Sequence, residues 1–576
     1  MKKKSISVLL IGGAIILVLL IVGLTILIRR STPSKDSMNL YQYYNITDDE
    51  EVAVIYNDSL RKSFGAYING HVYLNYEFVH EYLNSRFYWD HNENVLLYTT
   101  SENVITVDVE SSNYSVGKSV VDFGNVIVKA TSTSALIDID FLLEFSNFTY
   151  EYHEDPSRVI ITGPRDEKTE GLLKKTTNLR YEDHIKSPIL TELSKNSKVS
   201  VLDTRGKWSK VCTSDGIVGY VKTKFLKNIT TFDPEENDKE ENFSHITMNT
   251  PVNLLWHQVT SRSDNGSISD ILTASKGVNV MAPTWFKVAD NNGNISTNLA
   301  SKDYVDYCHN HGVQVWALVS DFEIDSVDIS YILTHTSARQ NLVNQLVSAA
   351  LQYNLDGINI DFESTNMTPL SVGDGYIQFI RELSIKCENN DIILSTDVRI
   401  PAAHNSFYQY KEQANFVDYI ILMAYDEHWY GCDEAGSVSS LNWVDRAVKN
   451  TLNYDIPSEQ IVLGIPFYTR IWYLTPQEVT EDEETIYTVN SWAYDMDYAK
   501  NWLSNHVAEP VWLEDCGQWY GECTIDNIIY KIWLEDTTSL EKRLQLMDEY
   551  NLGGAAFWRY GFENKEAWEL IIKYVN

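Results

Sequence analysis

The stretch Asp356-Gly357-Ile358-Asn359-Ile360-Asp361-Phe362-Glu363 decides the fold, because it places carboxylates within a run that otherwise resembles a core β-strand. Side chains alternate along a strand, so Asn359, Asp361 and Glu363 share one face and the large apolar side chains share the other. Burying an unpaired carboxylate is unfavourable, so two acids on one inward face indicate chemistry rather than packing. The alternative is a solvent-exposed edge strand, but turn-forming residues on both sides favour a βα unit.

Short strand-like runs recur between helical patterns beyond Thr250, as expected for repeated βα units. The eight candidate strands are residues 252–256, 278–282, 313–318, 356–363, 392–396, 419–423, 461–465 and 554–558. Eight parallel strands with intervening helices close into a TIM barrel, whose working residues lie at the strand ends. We therefore predict an α/β fold with a (β/α)8 barrel over residues 247–576, and Asp361 and Glu363 at the end of its fourth strand.

The chain of 576 residues is too long for one ordinary core, and at about 150 residues per domain it predicts three or four units. Its formal net charge of −34 argues against a nucleic-acid or anionic-membrane partner, since phosphates are bound through clustered Lys and Arg. The 15 Trp and 36 Tyr suit surfaces that stack on sugar rings, although packing alone accounts for many of them. We expect a neutral or mixed-charge ligand.

Six cysteines are scattered without the CxxC spacing of a zinc site, and we predict no metal and no cofactor. Cys516 and Cys523 are spaced to close a loop by a disulfide in an oxidising medium, with free thiols as the alternative. Cys308-His309-Asn310-His311 invites a metal interpretation, but a helix C-terminal cap before Gly312 explains it better. The acidic run at residues 481–484 offers carboxylates of the kind that bind calcium, but a solvated loop is the usual structure of such a run.

Residues 6–28 form an uninterrupted uncharged stretch, preceded by three lysines and followed by Arg29 and Arg30. About 20 apolar residues cross a bilayer, so we predict a transmembrane helix here. The arginine pair favours an uncleaved signal anchor over a cleaved signal peptide, which remains the alternative. The basic N-terminal flank predicts that residues 1–5 stay in the cytoplasm and that the bulk of this single-pass protein is extracellular.

Residues 31–55 are predicted as a polar stalk, and residues 56–165 alternate strand-like and amphipathic runs, which predicts an α+β domain. The runs at residues 70–74 and 86–90 resemble the N-terminal α/β domain of copper amine oxidases. That resemblance implies no copper site here.

Residues 170–230 carry short strands and frequent turn residues, which predict a small all-β barrel. The strand at Trp208, followed by Gly219-Tyr220-Val221, resembles a bacterial SH3-like domain. The resemblance implies a cell-wall peptide as a partner, with a passive spacer as the alternative. Residues 231–246 contain an acidic run and form a predicted linker.

The fourth-strand pattern resembles the DGxDxDxE signature of glycoside hydrolase family 18, and the likeness covers Thr250 to the C-terminus. Met423-Ala424-Tyr425-Asp426 matches the family's MxYD on the sixth strand, and Trp558 matches the tryptophan that floors the catalytic subsite. Sequences around Trp285 and around Tyr468 and Arg470 resemble the bacterial cell-wall and spore-cortex branch. Either Tyr425 or Trp558 alone would be interpreted as a core aromatic.

Family 18 uses one acid and the substrate's own acetamido group. By resemblance, Glu363 protonates the leaving oxygen, Asp361 orients the 2-acetamido group and Tyr425 hydrogen-bonds its carbonyl. The resemblance therefore implies an N-acetylated glycan polymer as substrate. The predicted substrate-binding residues are Asn359, Asp426, Trp558, Trp285, Met423, Tyr468 and Arg470.

One position departs from the family pattern, because the usual aspartate before Asp361 is Asn359 here. An amide can hydrogen-bond but cannot share a proton or carry charge. We hypothesise that Asp361 ionises more readily than in an acid pair, and that its charge keeps Glu363 protonated to higher pH.

The leading prediction is a membrane-anchored extracellular glycosidase that cleaves β-1,4 bonds next to N-acetylglucosamine in peptidoglycan or chitin-like glycans. A catalytically silent, lectin-like cell-wall protein is the first alternative, and a membrane-tethered wall spacer is the second. The presence of Glu363 favours the enzyme, since loss of the acid is the simplest route to a lectin.

Overall fold

The computed structural model describes residues 2–165, 167–233, 241–321, 324, 326–364, 370–477 and 486–575. The chain divides into two compact units, one of residues 1–89 and 106–240 and one of residues 90–105 and 241–576. Residues 234–240 of the predicted linker and the acidic run at 481–484 lie outside the described residues.

An apolar helix, Lys2–Ser31, opens the first unit. Its segment Leu10–Ser31 is 22 residues long and is apolar enough to cross a membrane. A membrane anchor and a signal sequence share these properties.

A seven-stranded sheet follows the apolar helix, and it contains both parallel and antiparallel pairs. Its strands are Glu51–Tyr56, Ser59–Ile68, His71–Asn75, Val128–Ala130, Ala135–Asp138, Thr149–Glu154 and Ser157–Thr162. Short helices at Tyr76–Phe78, Val79–Leu83 and Ile139–Phe145 complete an α+β arrangement, and Asn113–Val116 pairs with Ser119–Asp122 in a hairpin.

The predicted stalk is wrong over much of its length. Residues 31–55 include the helix Leu40–Tyr44 and most of the strand Glu51–Tyr56, which lies inside the seven-stranded sheet. Tyr44 packs with Ala53 and Ile55 in one buried cluster. The apolar run that begins at Val52 is a sheet strand because both its faces are covered.

A second seven-stranded antiparallel sheet forms the predicted all-β domain. Its strands are Lys168–Leu173, Thr177–Arg180, Ile189–Leu193, Lys198–Arg205, Trp208–Thr213, Val218–Lys222 and Leu226–Phe232. Inward-facing side chains such as Leu179, Val211 and Val221 form its core. The strand at Trp208 pairs directly with the strand that carries Gly219 and Tyr220.

The second unit contains the predicted barrel of eight parallel strands. They are Val252–His257, Val280–Pro283, Gln314–Ser320, Gly357–Asp361, Ile393–Arg399, Tyr419–Met423, Ile461–Pro466 and Gly554–Trp558. Each strand pairs with the next, and the eighth pairs with the first, so the barrel closes. All eight candidate strands are confirmed.

Two apolar layers hold the barrel together, as strand alternation requires. One fills the barrel interior and includes Trp256, Trp316 and Ile421. The other lies between strands and helices and includes Ile358 and Ile360. The surrounding helices are Ile268–Ala274, Lys302–Asn310, Ile329–Thr334, Thr336–Tyr353, Leu370–Glu388, Tyr410–Phe416, Leu441–Leu452, Thr537–Glu549 and Lys565–Ile571.

The segment 90–105 belongs to the barrel unit rather than to the predicted α+β domain. Asp90 Oδ2 accepts hydrogen bonds from the backbone N–H and the hydroxyl of Thr336, at 2.7 and 2.6 Å, where a barrel helix begins. Gln378 Nε2 donates to Thr99 Oγ1 at 3.0 Å. These contacts depend on residues more than 200 positions apart, which local sequence patterns do not reveal.

An inserted antiparallel sheet separates the seventh and eighth barrel strands. Its strands are Thr469–Pro476, Tyr487–Tyr494, Val511–Leu513, Gln518–Ile525 and Ile528–Leu534, and the helix Met496–His506 packs on it. Cys516 and Cys523 are free thiols. The helix Lys302–Asn310 ends at His311 and Gly312, the latter with φ of 72°, as expected for a helix cap.

Candidate active site

Glu363 stands two residues beyond the fourth strand and is held by both neighbouring strands. The carboxylate of Asp321, just past the third strand, accepts the backbone N–H of Glu363 at 3.0 Å and that of Ser364 at 3.2 Å. Arg399, the last residue of the fifth strand, donates from Nη2 to the carbonyl of Glu363 at 2.6 Å. The backbone of the predicted acid is therefore fixed at its N–H and at its carbonyl.

The side chain of Glu363 is 31% exposed and faces the barrel mouth. Burial raises its pKa, the nearby cation of Arg399 opposes that rise, and the charge of Asp426 adds to it. A carboxyl group with a raised pKa and access to ligand has the properties that a general acid needs.

Asp361 lies deeper on the same strand face and is 7% exposed. Its Oδ1 has no hydrogen-bond partner among the described residues. Desolvation raises its pKa well above the usual value, and the negative charges of Glu363, Asp397 and Asp321 raise it further. A buried acid oxygen that lacks a protein partner is available to a bound ligand.

Asn359 is fully buried and connects three barrel strands. Its Oδ1 accepts from Trp256 Nε1 at 3.1 Å, and its Nδ2 donates to Asp397 Oδ1 at 2.8 Å and to Ser395 Oγ at 3.1 Å. The second acid beside Asp361 is thus Asp397 on the fifth strand, where burial raises the pKa well above its usual value.

The hypothesis on Asn359 assumed that Asp361 has no neighbouring acid, and that assumption is wrong: desolvation raises the pKa of Asp361, and the charges of Glu363 and Asp397 raise it further. The family signature covers the fourth strand alone. Asp397 supplies a neighbouring acid from the fifth strand, so Asn359 does not leave Asp361 isolated.

We expect Asn359→Asp to destabilise the barrel by about 1–3 kcal/mol at pH 8, because it removes two buried donors and sets a carboxylate against Asp397. At pH 5 the loss should be smaller, since two adjacent carboxyls can then share a proton. Thermal unfolding of the full chain at both pH values measures this, with exposed Asn501→Asp as the matched control. Equal destabilisation at the two pH values would contradict the acid-pair geometry.

Tyr425 and Asp426 follow the sixth strand. Tyr425 packs against the barrel-interior cluster, and burial raises the pKa of its hydroxyl well above the usual value, so the hydroxyl stays a donor. Asp426 is exposed and has a left-handed backbone, with φ of 58°. Its Oδ1 accepts from the hydroxyl of Tyr468 at 2.6 Å and lies 3.8 Å from Arg470 Nη2.

Trp558 ends the eighth strand and is partly exposed. It packs on the barrel-interior cluster, and its ring meets that of Trp256 edge-on at 5.8 Å. Met423, which ends the sixth strand, is 8% exposed. Trp558 therefore offers an aromatic surface across the mouth from Glu363, because the eighth and fourth strands lie on opposite sides of the barrel.

The prediction that Trp285 binds substrate is wrong. Trp285 is fully buried, packs edge-on against Tyr304 at 5.1 Å and donates from Nε1 to Asn265 Oδ1 at 2.9 Å. It belongs to the apolar layer between strands and helices rather than to the mouth. The chain turns after Pro283. The side chain of Trp285 therefore does not point into the mouth, although Trp285 lies close to the end of a barrel strand.

Sequence reasoning missed three acidic or basic residues around Glu363, namely Asp321, Asp397 and Arg399. Each lies one to three residues beyond a strand predicted too short. Ser395, Asp397 and Arg399 alternate in the same register as Asn359, Asp361 and Glu363. Extending the alternation along the fifth strand would have identified two of them.

Comparisons with known proteins agree with this geometry. Residues 217–563 match the family model for glycosyl hydrolases family 18, and residues 175–227 match the bacterial SH3 domain. The two matches overlap at 217–227, which the structure places in the second seven-stranded sheet, ahead of the barrel.

The chain is 23% identical over 327 residues to the Uncharacterized glycosylase YvbX of Bacillus subtilis (strain 168). The aligned region covers 54% of this chain and 88% of that protein. It is 23% identical over 259 residues to the Cortical fragment-lytic enzyme of Bacillus anthracis, over 43% of this chain. The match spans 56% of the length of that enzyme.

A solved C-terminal domain from Desulfitobacterium hafniense DCB-2, assigned as a chitinase, superposes with a TM-score of 0.50 at 18% identity, over 56% of this chain and 98% of that one. At this identity the likeness shows the barrel fold alone. The family model, in contrast, matches more than half of the chain and covers every residue of the mouth named above. The chain therefore belongs to glycosyl hydrolase family 18 and is a glycosidase.

Proposed function

We propose that the enzyme hydrolyses β-1,4 bonds next to N-acetylglucosamine by a retaining, substrate-assisted mechanism. One observation carries the proposal: Glu363 at the mouth continues the side-chain alternation of the fourth strand on the face of Asp361, whose Oδ1 has no hydrogen-bond partner among the described residues. Two residues along a strand separate them by about 6.6 Å. In this arrangement Asp361 serves the acetamido group, while Glu363 serves the glycosidic oxygen.

In the first step Glu363 donates its proton to the glycosidic oxygen, and the bond from that oxygen to the anomeric carbon breaks. The acetamido oxygen of the same sugar forms the new bond to the anomeric carbon. Asp361 accepts the acetamido N–H, and the hydroxyl of Tyr425 donates to the acetamido oxygen. Water then attacks the anomeric carbon from the side that the leaving group vacated and gives a proton to the Glu363 carboxylate. The bond from the acetamido oxygen to the anomeric carbon breaks in this step, which restores the acetamide, and the configuration is retained.

Outer parts of the mouth would hold the glycan. Trp558 would stack on the apolar face of the reacting sugar. Asp426, positioned by Tyr468 and Arg470, would accept hydrogen bonds from sugar hydroxyls. Asn359 and Met423 would lie beneath the residues that line the mouth and would contact those residues rather than the glycan, since both are buried.

For the whole protein we propose a peptidoglycan or chitin-like substrate outside the cell. A relative named Cortical fragment-lytic enzyme supports the first, and a relative named Probable chitinase 2 of Drosophila melanogaster supports the second. The N-terminal apolar helix would anchor the chain, and the SH3 domain would bind a cell-wall peptide. The likeness of residues 56–165 to copper amine oxidases stays a prediction.

The test compares N-acetylated chito-oligosaccharides with matched oligosaccharides from which every acetyl group has been removed, using the full-length protein in detergent. Substrate assistance predicts cleavage of the acetylated set only, with the β-anomer formed first in proton NMR spectra. Cleavage of both sets at similar rates, or initial formation of the α-anomer, would contradict the mechanism.

A further inference from the structure

Arg399 makes two contacts to one residue, and that residue is the proposed acid. Its Nη2 donates to the backbone carbonyl of Glu363 at 2.6 Å, and its Nε lies 3.3 Å from Glu363 Oε2. The backbone carbonyl of Arg399 in turn accepts from the hydroxyl of Tyr410 at 2.9 Å. A planar guanidinium with several donors suits such a two-point hold, whereas a single ammonium does not.

Within the part of the chain that the structure describes, the other titratable groups around Glu363 are acids or phenols. They are Asp321 beyond the third strand, Asp361 on the fourth, Asp397 on the fifth, Tyr425 and Asp426 beyond the sixth, and Tyr408 of the turn Ala403–Tyr408. Among the described groups acting on Glu363, Arg399 is the cation that opposes protonation. The side chains of Arg399 and Glu363 are each about one-third exposed, at 34% and 31%, so a ligand can reach both.

The position of Arg399 also matters. The fifth strand lies next to the fourth, and both lie across the barrel from the eighth, which carries Trp558. In the proposed mechanism the reacting sugar rests on Trp558 and the leaving group lies beyond Glu363. Arg399 therefore contacts Glu363 from the side of the fifth strand, across the barrel from the strand that carries Trp558.

We propose that Arg399 is a positioning residue for Glu363, which fixes its backbone and carboxylate and sets the pH range over which the acid keeps its proton. The catalytic part of this inference rests on the proposed function. The electrostatic part concerns Glu363 alone and holds whether or not a given glycan is cleaved.

The first measurement reads the protonation of Glu363 directly in the full-length protein. A carbodiimide with an added amine modifies protonated carboxyls, and mass spectrometry of the Glu363 peptide gives the labelling rate at each pH. Arg399→Gln removes the charge and should raise the midpoint of this titration by about 1 pH unit or more. Arg399→Lys keeps a charge and should leave the midpoint closer to that of the wild type.

The second measurement is the pH profile of kcat/KM. Loss of the Glu363 proton ends activity on the alkaline side, so Arg399→Gln should move that limb to higher pH by a similar amount. Arg399→Lys should lower kcat with a smaller shift, because it keeps charge but loses the two-point hold. Arg446→Gln, an exposed arginine on a barrel helix, is the matched control and should change neither quantity.

The outcomes separate the two proposals. An unchanged Glu363 titration in Arg399→Gln overturns the inference even if the enzyme is active. A shifted titration in a protein that cleaves no tested glycan supports the inference and counts against the proposed function. If Arg399→Gln does not fold, as judged by circular dichroism, Arg399→Lys decides the positioning role: unchanged kcat overturns it, and reduced kcat supports it.

Discussion

Glu363→Gln should reduce glycan hydrolysis by about 10²- to 10⁴-fold, the range that a positioned general acid contributes. The amide has nearly the same size and cannot donate a proton to the leaving oxygen. The two backbone contacts, from Asp321 and Arg399, do not depend on the side chain, so the loop should keep its position. Rates on the same oligosaccharide, at the pH optimum of the wild type, measure the loss.

The matched control is Glu569→Gln, the same chemical change at an exposed position of the last helix. It should keep full activity. Sugar binding by Glu363→Gln, followed by tryptophan fluorescence, should stay within a few-fold of the wild type, because the acid acts on the bond rather than on ground-state affinity. A variant that hydrolyses at the wild-type rate would remove Glu363 from the mechanism.

Asp361→Asn should lower kcat by about 10²-fold or more while leaving the protein at least as stable as the wild type. The loss follows because an amide cannot carry the charge that stabilises the acetamido group as it becomes cationic. The stability follows because the folded protein raises the pKa of buried Asp361 and opposes its ionisation. The folded state therefore binds this proton more tightly than the unfolded state, and stability falls as pH rises above the unfolded value.

Unfolding temperatures at pH 5 and pH 8 test the second half of this prediction. The advantage of Asp361→Asn over the wild type should be larger at pH 8, since Asn does not ionise. Asp548→Asn, an exposed position, should show no such pH dependence. A variant that is less stable than the wild type at pH 8 would contradict the claim that burial of the Asp361 carboxyl lowers the stability of the folded protein.

The barrel was predictable because its strands are short, mostly apolar runs, as parallel strands covered on both faces must be. Asp361 and Glu363 were predictable for the converse reason, since a carboxylate in such a run has no role in packing. Strand alternation placed both carboxylates on the inward face. The structure agrees, because Ile358 and Ile360, which alternate with them, lie in the apolar layer between strands and helices.

Features that depend on contacts distant in sequence were not predictable in the same way. Asp397 and Arg399 meet the fourth strand only when the fifth strand is placed beside it. Trp285 has the sequence context of a mouth residue, but its ring turns outward into the helix layer. The inserted sheet between the seventh and eighth strands has its own strand periodicity. A barrel is complete with eight strands, so the barrel pattern gave no reason to expect this sheet.

Identification of new reducing ends by mass spectrometry tests the central claim most directly. Full-length protein in detergent is incubated with purified peptidoglycan and, separately, with chito-oligosaccharides. We expect at least one of these substrates to give products that end in N-acetylglucosamine, and we expect none from Glu363→Gln. No product from either substrate, or equal product from the variant, would contradict the assignment of a Glu363-dependent glycosidase.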